Sequence, residues 1–542
     1  MKNRLIKFGT LALATFLIAS CGGKSSSDTT PTSSDTGSTV DPTTDPSSVD
    51  PSTDTSSDTS TDTNTDTDTT IPTPEPVETQ LKFAVFADIQ LCAPEQKEGA
   101  AANFGATANA PLALKSHFEF IKQNNIDVVL MNGDITNQAN EFYYEYFESI
   151  LKSVYGEDET KYPEFVWNMG NHEWWWGTSE KETGDAVTMF KKYARINSTN
   201  LVKTSNVPYY INNNQTLPSY YKVINGVPFL AISAENSSGL VGSALYSELE
   251  GWLSEIKQLD SVKKGGPIFV QYHYPLTTSM THGQGSNPDK CEPVERLLKN
   301  TPNAVVFTGD THFPGINERS INQVDFTTIN LGTSSYSRMV DQSAVICDDY
   351  DNVSGGGTSK ADKMVGNAKY KEAYTPTIQV VEVNNNQTYT IDRYFTDVPG
   401  GRLVGNQWTF EPINSKDDFK YTNDRFQNKA AANALYGAEG LSWAEGAKLT
   451  FGVKDGQMTV RFPEVTDYHY CEHYRISVNG TIYDEVSNYY KYLENAEENY
   501  FILKNVPSAS TYNVEVTAYD FFDNPSLNTL TSSVNEENKA VD

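Results

Sequence analysis

Five short stretches concentrate residues that can hold a cation and move a proton. They are "ADIQ" (Asp88, Gln90), "NGDITN" (Asp134), "MGNHEW" (Asn171, His172), "QYHYP" (His273) and "TGDTHF" (Asp310, His312). Each follows a run that reads as a β-strand, and the carboxyl ends of strands are where open α/β sheets place ligands. Carboxylate and amide oxygens suit hard divalent ions, and imidazoles add directional nitrogens. Taken singly, each stretch has a plain structural alternative. A Gly-Asp after a strand is commonly a turn, and a lone histidine is commonly packed. Together, in one order from Asp88 to His312, they point to a shared metal site.

The order of these motifs resembles the calcineurin-like metallophosphoesterases, whose pattern runs Asp-x-His, Gly-Asp, Gly-Asn-His-Asp/Glu, His and Gly-His-x-His. The resemblance covers roughly residues 80–395, and "VVLMNGD" and "GNHE" are its most specific parts. It implies a four-layer sandwich of two central sheets flanked by helices, with a dinuclear metal centre. It further implies that Asp88, Gln90, Asp134 and His312 hold one metal, and that Asp134, Asn171, His273 and Asp310 hold the other. Asp134 would bridge the two. His172 would not be a ligand but would face the phosphate, to stabilise charge or protonate the leaving oxygen.

The chain departs from that pattern twice. Gln90 and Asp310 stand where histidine is usual. Both can still coordinate through oxygen, so the change lowers the preference for zinc and favours Mn²⁺, Mg²⁺ or Ca²⁺. The purple acid phosphatase pattern has a tyrosine three residues after the bridging aspartate, where this chain has Asn137. That disfavours iron without removing it from the candidates.

The elements that must position these residues alternate between strand-like and amphipathic helical runs from about 79 to 395. "LKFAVFAD", "PLALKSHFEFIKQ", "DVVLMNGD" and "NEFYYEYFESILKSVYG" open the series. Such alternation predicts an α/β (α+β) domain. "YYKVINGVPFLAIS" reads as a hairpin turning at Asn225-Gly226. "TIQVVEVNNNQTYTIDRYF" reads as a closing hairpin. Residues 396–445 read as a connector, although "GGRLVGNQWTFEP" can also complete the first domain. Residues 446–535 hold only short strands, which predicts an all-β immunoglobulin-like sandwich. "LKNVPSASTYNVEVTAYDFFDNPS" resembles a fibronectin type III domain, with Leu503, Tyr512, Val514, Val516 and Ala518 facing inward and Tyr512 at the tyrosine corner. This implies a spacer, or a module that binds a surface polymer or protein.

The N-terminus sets the expected location. Lys2, Arg4 and Lys7 precede a short apolar run ending in "LIASC". This resembles a bacterial lipobox and implies a signal peptide over 1–20, cleavage before Cys21 and lipidation of its thiol. Residues 21–78 are almost wholly Ser, Thr, Asp, Pro and Gly, which cannot form a core and read as a disordered stalk. The folded part is then expected to be lipid-anchored in the bacterial envelope, outside the cytoplasm. The net charge of −29, much of it in the stalk, argues against a nucleic-acid binder, which needs a basic face.

Cys92, Cys291, Cys347 and Cys471 show no zinc-knuckle spacing, and their pairing stays open. Trp174–Trp176 read as a packing anchor or an aromatic platform. His282 reads as a substrate contact or simply as solvent-exposed, the Asp348–Asp349 pair as a solvated loop or a calcium site, and His469 and His473 show no partner pattern. Two functions compete. One is a surface phosphoesterase acting on a monoester or diester; the other is a non-catalytic binding lipoprotein on the same scaffold.

Overall fold

The parallel sheet that opens with strand β1 (Thr79–Phe86) explains why the strand runs after residue 78 read as continuously apolar. β2 (Val128–Asn132) pairs in parallel with β1, and β3 (Glu164–Asn168) in parallel with β2. A parallel sheet buried on both faces needs apolar residues at every position, and all five residues of β2 are buried. On the other side of β1 lies β11 (Thr377–Asn384), antiparallel. β12 (Tyr389–Phe395) follows, with β13 (Arg402–Leu403) and β14 (Trp408–Phe410) both paired to it. The beginning of the 396–445 stretch therefore completes the first sheet.

The computed structural model describes residues 76–91, 110–174, 185–279, 288–335 and 376–541, apart from residues 211, 213, 313, 314 and 316, parts of 428–439, and breaks at 455–456, 467–470, 488–498, 504–505, 521–523 and 536–539. They belong to one compact unit of the chain, Pro74–Asp542. The signal peptide, Cys21 and the stalk up to residue 75 lie outside the described residues, as do Cys92, Trp175, Trp176, His282, Cys347, Asp348, Asp349 and His469. Among the described residues no helix is long and apolar enough to cross a membrane.

The second sheet runs β4 (Leu201–Thr204), β5 (Tyr220–Ile224), β6 (Val227–Ile232), β7 (Ile268–Tyr272), β8 (Ala304–Thr308), β10 (Thr327–Asn330), β9 (Ile321–Gln323). From β6 to β10 the pairing is parallel. The two sheets pack face to face through aromatic edges. Phe83 of β1 meets Phe269 at 4.8 Å and Phe229 at 5.2 Å, both T-shaped. Helices α1 (Ala110–Gln123), α2 (Glu141–Tyr155) and α3 (Ala186–Tyr193) cover the outer face of the first sheet, where Phe118 packs on Phe165 and Phe190 on Trp167. Helices α4 (Ser243–Ile256), α5 (Asp260–Lys263) and α6 (Pro288–Leu298) go with the second sheet, and Trp252 of α4 packs on Tyr221. The result is four layers, as expected from the sequence.

The β5–β6 hairpin turns at Asn225 and Gly226, with φ of 49° and 78°. Two positive φ values in a two-residue loop match a type I′ turn, which Asn-Gly suits best. Gly226→Ala puts a Cβ on a left-handed residue and is expected to cost about 1–2 kcal/mol. Urea unfolding checks this; an unchanged midpoint contradicts it.

His117, on the buried side of α1, has Nδ1 2.8 Å from Thr396 Oγ1 and packs against Phe86. Burial pushes its imidazole down to about 3. The folded chain thus refuses a proton that the unfolded chain accepts near pH 6.5. Stability linked to His117 is complete above that pH and is lost as pH falls from about 6.5 towards 3, by up to about 1.4 kcal/mol per pH unit. His117→Leu is expected to flatten this slope. Unfolding free energies at pH 7 and pH 4.5 test it: equal slopes in both proteins contradict the assignment.

The C-terminal domain is a second all-β body. One sheet runs β19 (Asn499–Leu503), β16 (Gln457–Phe462), β15 (Thr450–Lys454), β22 (Ala540–Val541). The other runs β18 (Thr481–Ser487), β17 (Cys471–Val478), β20 (Thr511–Asp520), β21 (Leu530–Asn535). Leu503, Tyr512, Val514, Val516 and Ala518 all lie in its core. The Tyr512 hydroxyl accepts from the Ala509 N–H at 2.9 Å, the bond of a tyrosine corner. His473 stacks on Tyr519 with ring centroids 4.9 Å apart. Cys291 is buried in the first domain and Cys471 in the second.

A short 3-10 turn, Glu318–Ser320, ties these parts together. Glu318 accepts from Arg393 and from Trp408 Nε1. Arg319 Nη1 donates to Glu472 Oε1 of the C-terminal domain at 2.6 Å, with both side chains buried.

Candidate metal centre

All five motifs sit where parallel strands end. Asp88 follows β1, Asp134 follows β2, Asn171 and His172 follow β3, His273 follows β7, and Asp310 and His312 follow β8. The chain bends sharply at each. Asp88, Gln90, Asp134, Asp310 and His312 all have φ between 50° and 64°, the left-handed region that non-glycine residues avoid. These five are half of the ten non-glycine residues with positive φ among the described residues, and such strain gathers at functional sites. The bends need small neighbours. A Cβ on Gly170 would lie 2.2 Å from Asp134 Oδ1, and one on Gly309 would lie 2.4 Å from Asp88 Oδ2.

The ligand atoms of Asp88, Asp134 and His273 lie within 4.8 Å of one another, and all three residues are buried. His273 Nε2 is 3.4 Å from Asp134 Oδ2 and 3.1 Å from Asn171 Oδ1. His312 Nε2 is 3.2 Å from Asp88 Oδ1. Gln90 Nε2 lies 3.0 Å from His172 Nε2, 3.2 Å from His312 Nε2 and 3.3 Å from Asp134 Oδ2. His172 donates its backbone N–H to Asp134 Oδ1 at 2.8 Å. Asp310 joins through its backbone N–H, 3.1 Å from Asp88 Oδ1. Seven of the sequence-predicted residues are thus in mutual contact by side chain, and Asp310 reaches them by its main chain. Trp174 is buried 5.5 Å from Tyr209 and serves packing.

Charge in this pocket is unbalanced. Burial pushes the Asp88 carboxyl up to about 7; His273 opposes this and the Asp134 carboxylate adds to it. Burial also raises Asp310, against the pull of His273. At Asp134, burial is outweighed by His273 and His172, which hold its carboxyl below the usual range. Burial would lower His273, but Asp134 and Asp88 hold it well above its ordinary value. The raised values of Asp88, Asp310 and His273 express a shortage of positive charge among buried carboxylates, and Asp134 is the one the two imidazoles satisfy.

The donor set fits a divalent cation on the Asn171 side. His273 Nδ1 lies 2.7 Å from the Asn132 carbonyl and donates to it, which turns Nε2 towards Asp134 and Asn171. The neighbouring carboxylates hold a proton on this imidazole, and a divalent cation would take that proton's place between Nε2 and the two oxygens. Oxygens from Asp134 and Asn171 plus one imidazole nitrogen form a mixed set suited to Mn²⁺ as well as Zn²⁺.

One important residue has no role in the sequence reading. Glu173 is fully buried. Its Oε2 accepts from the N–H groups of Asp134 and Gly170 at 2.8 Å each. Its Oε1 accepts from those of Ile135 at 2.7 Å and Thr136 at 3.1 Å. One carboxylate therefore fastens the Asp134 loop to the Asn171 loop. The available signal was an acidic residue inside "GNHE" with no basic partner nearby in sequence.

Residues 81–314 match the family model described as calcineurin-like phosphoesterase. No curated protein matches the chain. Among solved structures, a dimetal phosphatase from Danio rerio is similar at 11% identity and a TM-score of 0.34, over 62% of this chain and 100% of that one. A purple acid phosphatase from yellow lupin (Lupinus luteus) is similar at 12% identity and a TM-score of 0.39, over 63% of this chain and 55% of that one. A phosphatase from Mycoplasma pneumoniae is similar at 10% identity and a TM-score of 0.27, over 61% of this chain and 92% of that one. At such TM-scores these likenesses carry no weight for function. The family match and the motif loops agree: residues 81–314 form a calcineurin-like phosphoesterase region, with the residue types of a metal-dependent phosphoester hydrolase.

Proposed function

We propose that the chain hydrolyses a small phosphate monoester or diester outside the cytoplasm, from a position tethered by lipid at Cys21. The observation that carries the hydrolytic reading is the buried Asp88–Asp134–His273 group with His172 at its edge. The tether rests on the lipobox-like "LIASC" and the polar stalk after it. The C-terminal domain, by its resemblance to fibronectin type III, is read as a spacer or as a contact for a surface polymer or protein.

Bound divalent metal supplies a deprotonated water and neutralises phosphoryl oxygens. Asp134, Asn171, His273 and Asp310 would hold it on one side, and Asp88, Gln90, Asp134 and His312 on the other. Mn²⁺, Mg²⁺ and Ca²⁺ are favoured over Zn²⁺, with Fe a further candidate. His172 retains 6% exposure, the side of the group that a substrate can reach. Its Nδ1 faces the Asn137 carbonyl at 3.2 Å, which fixes the ring and directs Nε2 inward. Nε2 is then the atom that carries a proton to the leaving oxygen.

The test is hydrolysis of chromogenic mono- and diesters by chelator-stripped protein across a metal panel. Activity restored by Mn²⁺ or Mg²⁺ supports the reading, and the preferred ester assigns the substrate class. No hydrolysis under any metal favours the non-catalytic binding lipoprotein.

A further inference from the structure

β10 runs parallel to β8 and ends level with it, Asn330 beside Thr308. The chain beyond it brings no predicted ligand but carries the hydroxyl run Thr333-Ser334-Ser335, all three buried. Buried hydroxyls require partners, and these find theirs where the Asp88 bend begins. Thr333 Oγ1 donates to the Asp88 carbonyl at 2.9 Å, and Ser335 Oγ and the Ser334 N–H approach the same oxygen at 3.4 Å. Ser334 Oγ shares its hydrogen between the Ala87 carbonyl at 3.0 Å and the Thr377 carbonyl at 3.3 Å. A carbonyl oxygen only accepts, so the direction of each bond is fixed. At its root the same segment holds a second bend. Asn330 Oδ1, buried, accepts from Thr311 Oγ1 at 3.1 Å and from the Gly332 N–H at 3.4 Å, and Thr311 lies between Asp310 and His312. Residues 330–335 thereby tie a bend of the first sheet to a bend of the second.

We propose that residues 330–335 position the metal-binding side chains, with Thr333 the positioning residue for Asp88 and Asn330, through Thr311, that for His312. This rests on the metal-dependent reading above. The bends need such ties. Asp88 holds a φ of 54°, Asp310 of 64° and His312 of 54°. For a non-glycine residue that conformation costs about as much as one buried hydrogen bond contributes. Without the Thr333 hydroxyl, Asp88 can relax towards extended backbone, and its carboxylate moves off His312 Nε2, now 3.2 Å from Oδ1. The role is separate from that of Glu173, which fastens the Asp134 loop to the Asn171 loop. One brace serves the Asn171 side of the centre, and the other serves the side of Asp88 and His312.

The experiment is calorimetric titration of chelator-stripped full-length protein with Mn²⁺, for wild type, Thr333→Val and Thr333→Ser, with urea unfolding of the same metal-free samples. Valine keeps the shape of threonine and removes the donor; serine keeps the donor. Thr333→Val is expected to bind at least one Mn²⁺ about 10–100-fold more weakly, the usual effect of losing a group that orients a metal ligand. Thr333→Ser is expected to restore most of that affinity. A merely structural hydroxyl would lower the urea midpoint of Thr333→Val and leave the Mn²⁺ affinity of the folded protein unchanged; that result overturns the proposal. Thr333→Ser binding as weakly as Thr333→Val also overturns it, because the donor and not the methyl group is what holds Asp88. Thr311→Val cuts the other tie and is expected to weaken Mn²⁺ binding over the same range. It decides the matter where Thr333→Val does not fold, and unchanged affinity there overturns the proposal. Unaltered binding in the variants of a protein that binds Mn²⁺ overturns this proposal alone. A wild type that binds no Mn²⁺ and hydrolyses no phosphoester overturns the metal-dependent reading with it.

Discussion

Glu173→Ala is expected to destabilise the protein by about 4 kcal/mol or more, although Glu173 is neither a ligand nor a proton donor. Its carboxylate accepts four backbone N–H groups, from Asp134, Ile135, Thr136 and Gly170. Each buried donor left without an acceptor costs about 1–3 kcal/mol. Glu173→Gln is expected to recover about half of the loss, because one oxygen serves one pair of donors while the amide nitrogen faces the other pair. Urea unfolding of the three proteins measures this. A loss below about 1 kcal/mol for Glu173→Ala would mean that the loops hold their bends unaided.

His172→Ala is expected to lower turnover by about 10²–10⁴-fold, the usual contribution of a positioned acid. Bound metal should stay nearly unchanged. The bond that orients Asp134 comes from the backbone N–H of residue 172, at 2.8 Å, and alanine keeps it. Single-turnover hydrolysis with elemental analysis of the same samples separates the two effects. Loss of metal in this variant would make His172 a ligand and reassign the acid.

Much of the centre is legible in the sequence, for a physical reason. Ligands at strand ends must follow apolar runs and precede tight bends, so "VVLMNGD" and "FVWNMGNHE" carry both strand and loop in one local signature. The Asn225-Gly226 turn is legible in the same way, because its two positive φ values restrict the residues that fit. What was not legible depends on contacts between distant segments. Glu173 acquires its role only when the Asp134 loop lies beside it. The polar neighbours of the Gln90 amide come from positions 134, 172 and 312, so nothing near Gln90 in sequence reveals its surroundings. The short strands β4 and β9 lack the length for a periodic signal and form by pairing with β5 and β10. The Arg319–Glu472 pair joins two domains and is invisible before they dock.

The most direct test of the account is an anomalous-scattering map from crystals grown with Mn²⁺, using protein whose phosphoesterase activity under the same metal supply has been measured. A peak in contact with Asp134 and His273 Nε2, in active protein, is the predicted result. Active protein with no peak at these residues, or with manganese bound only elsewhere, would contradict it.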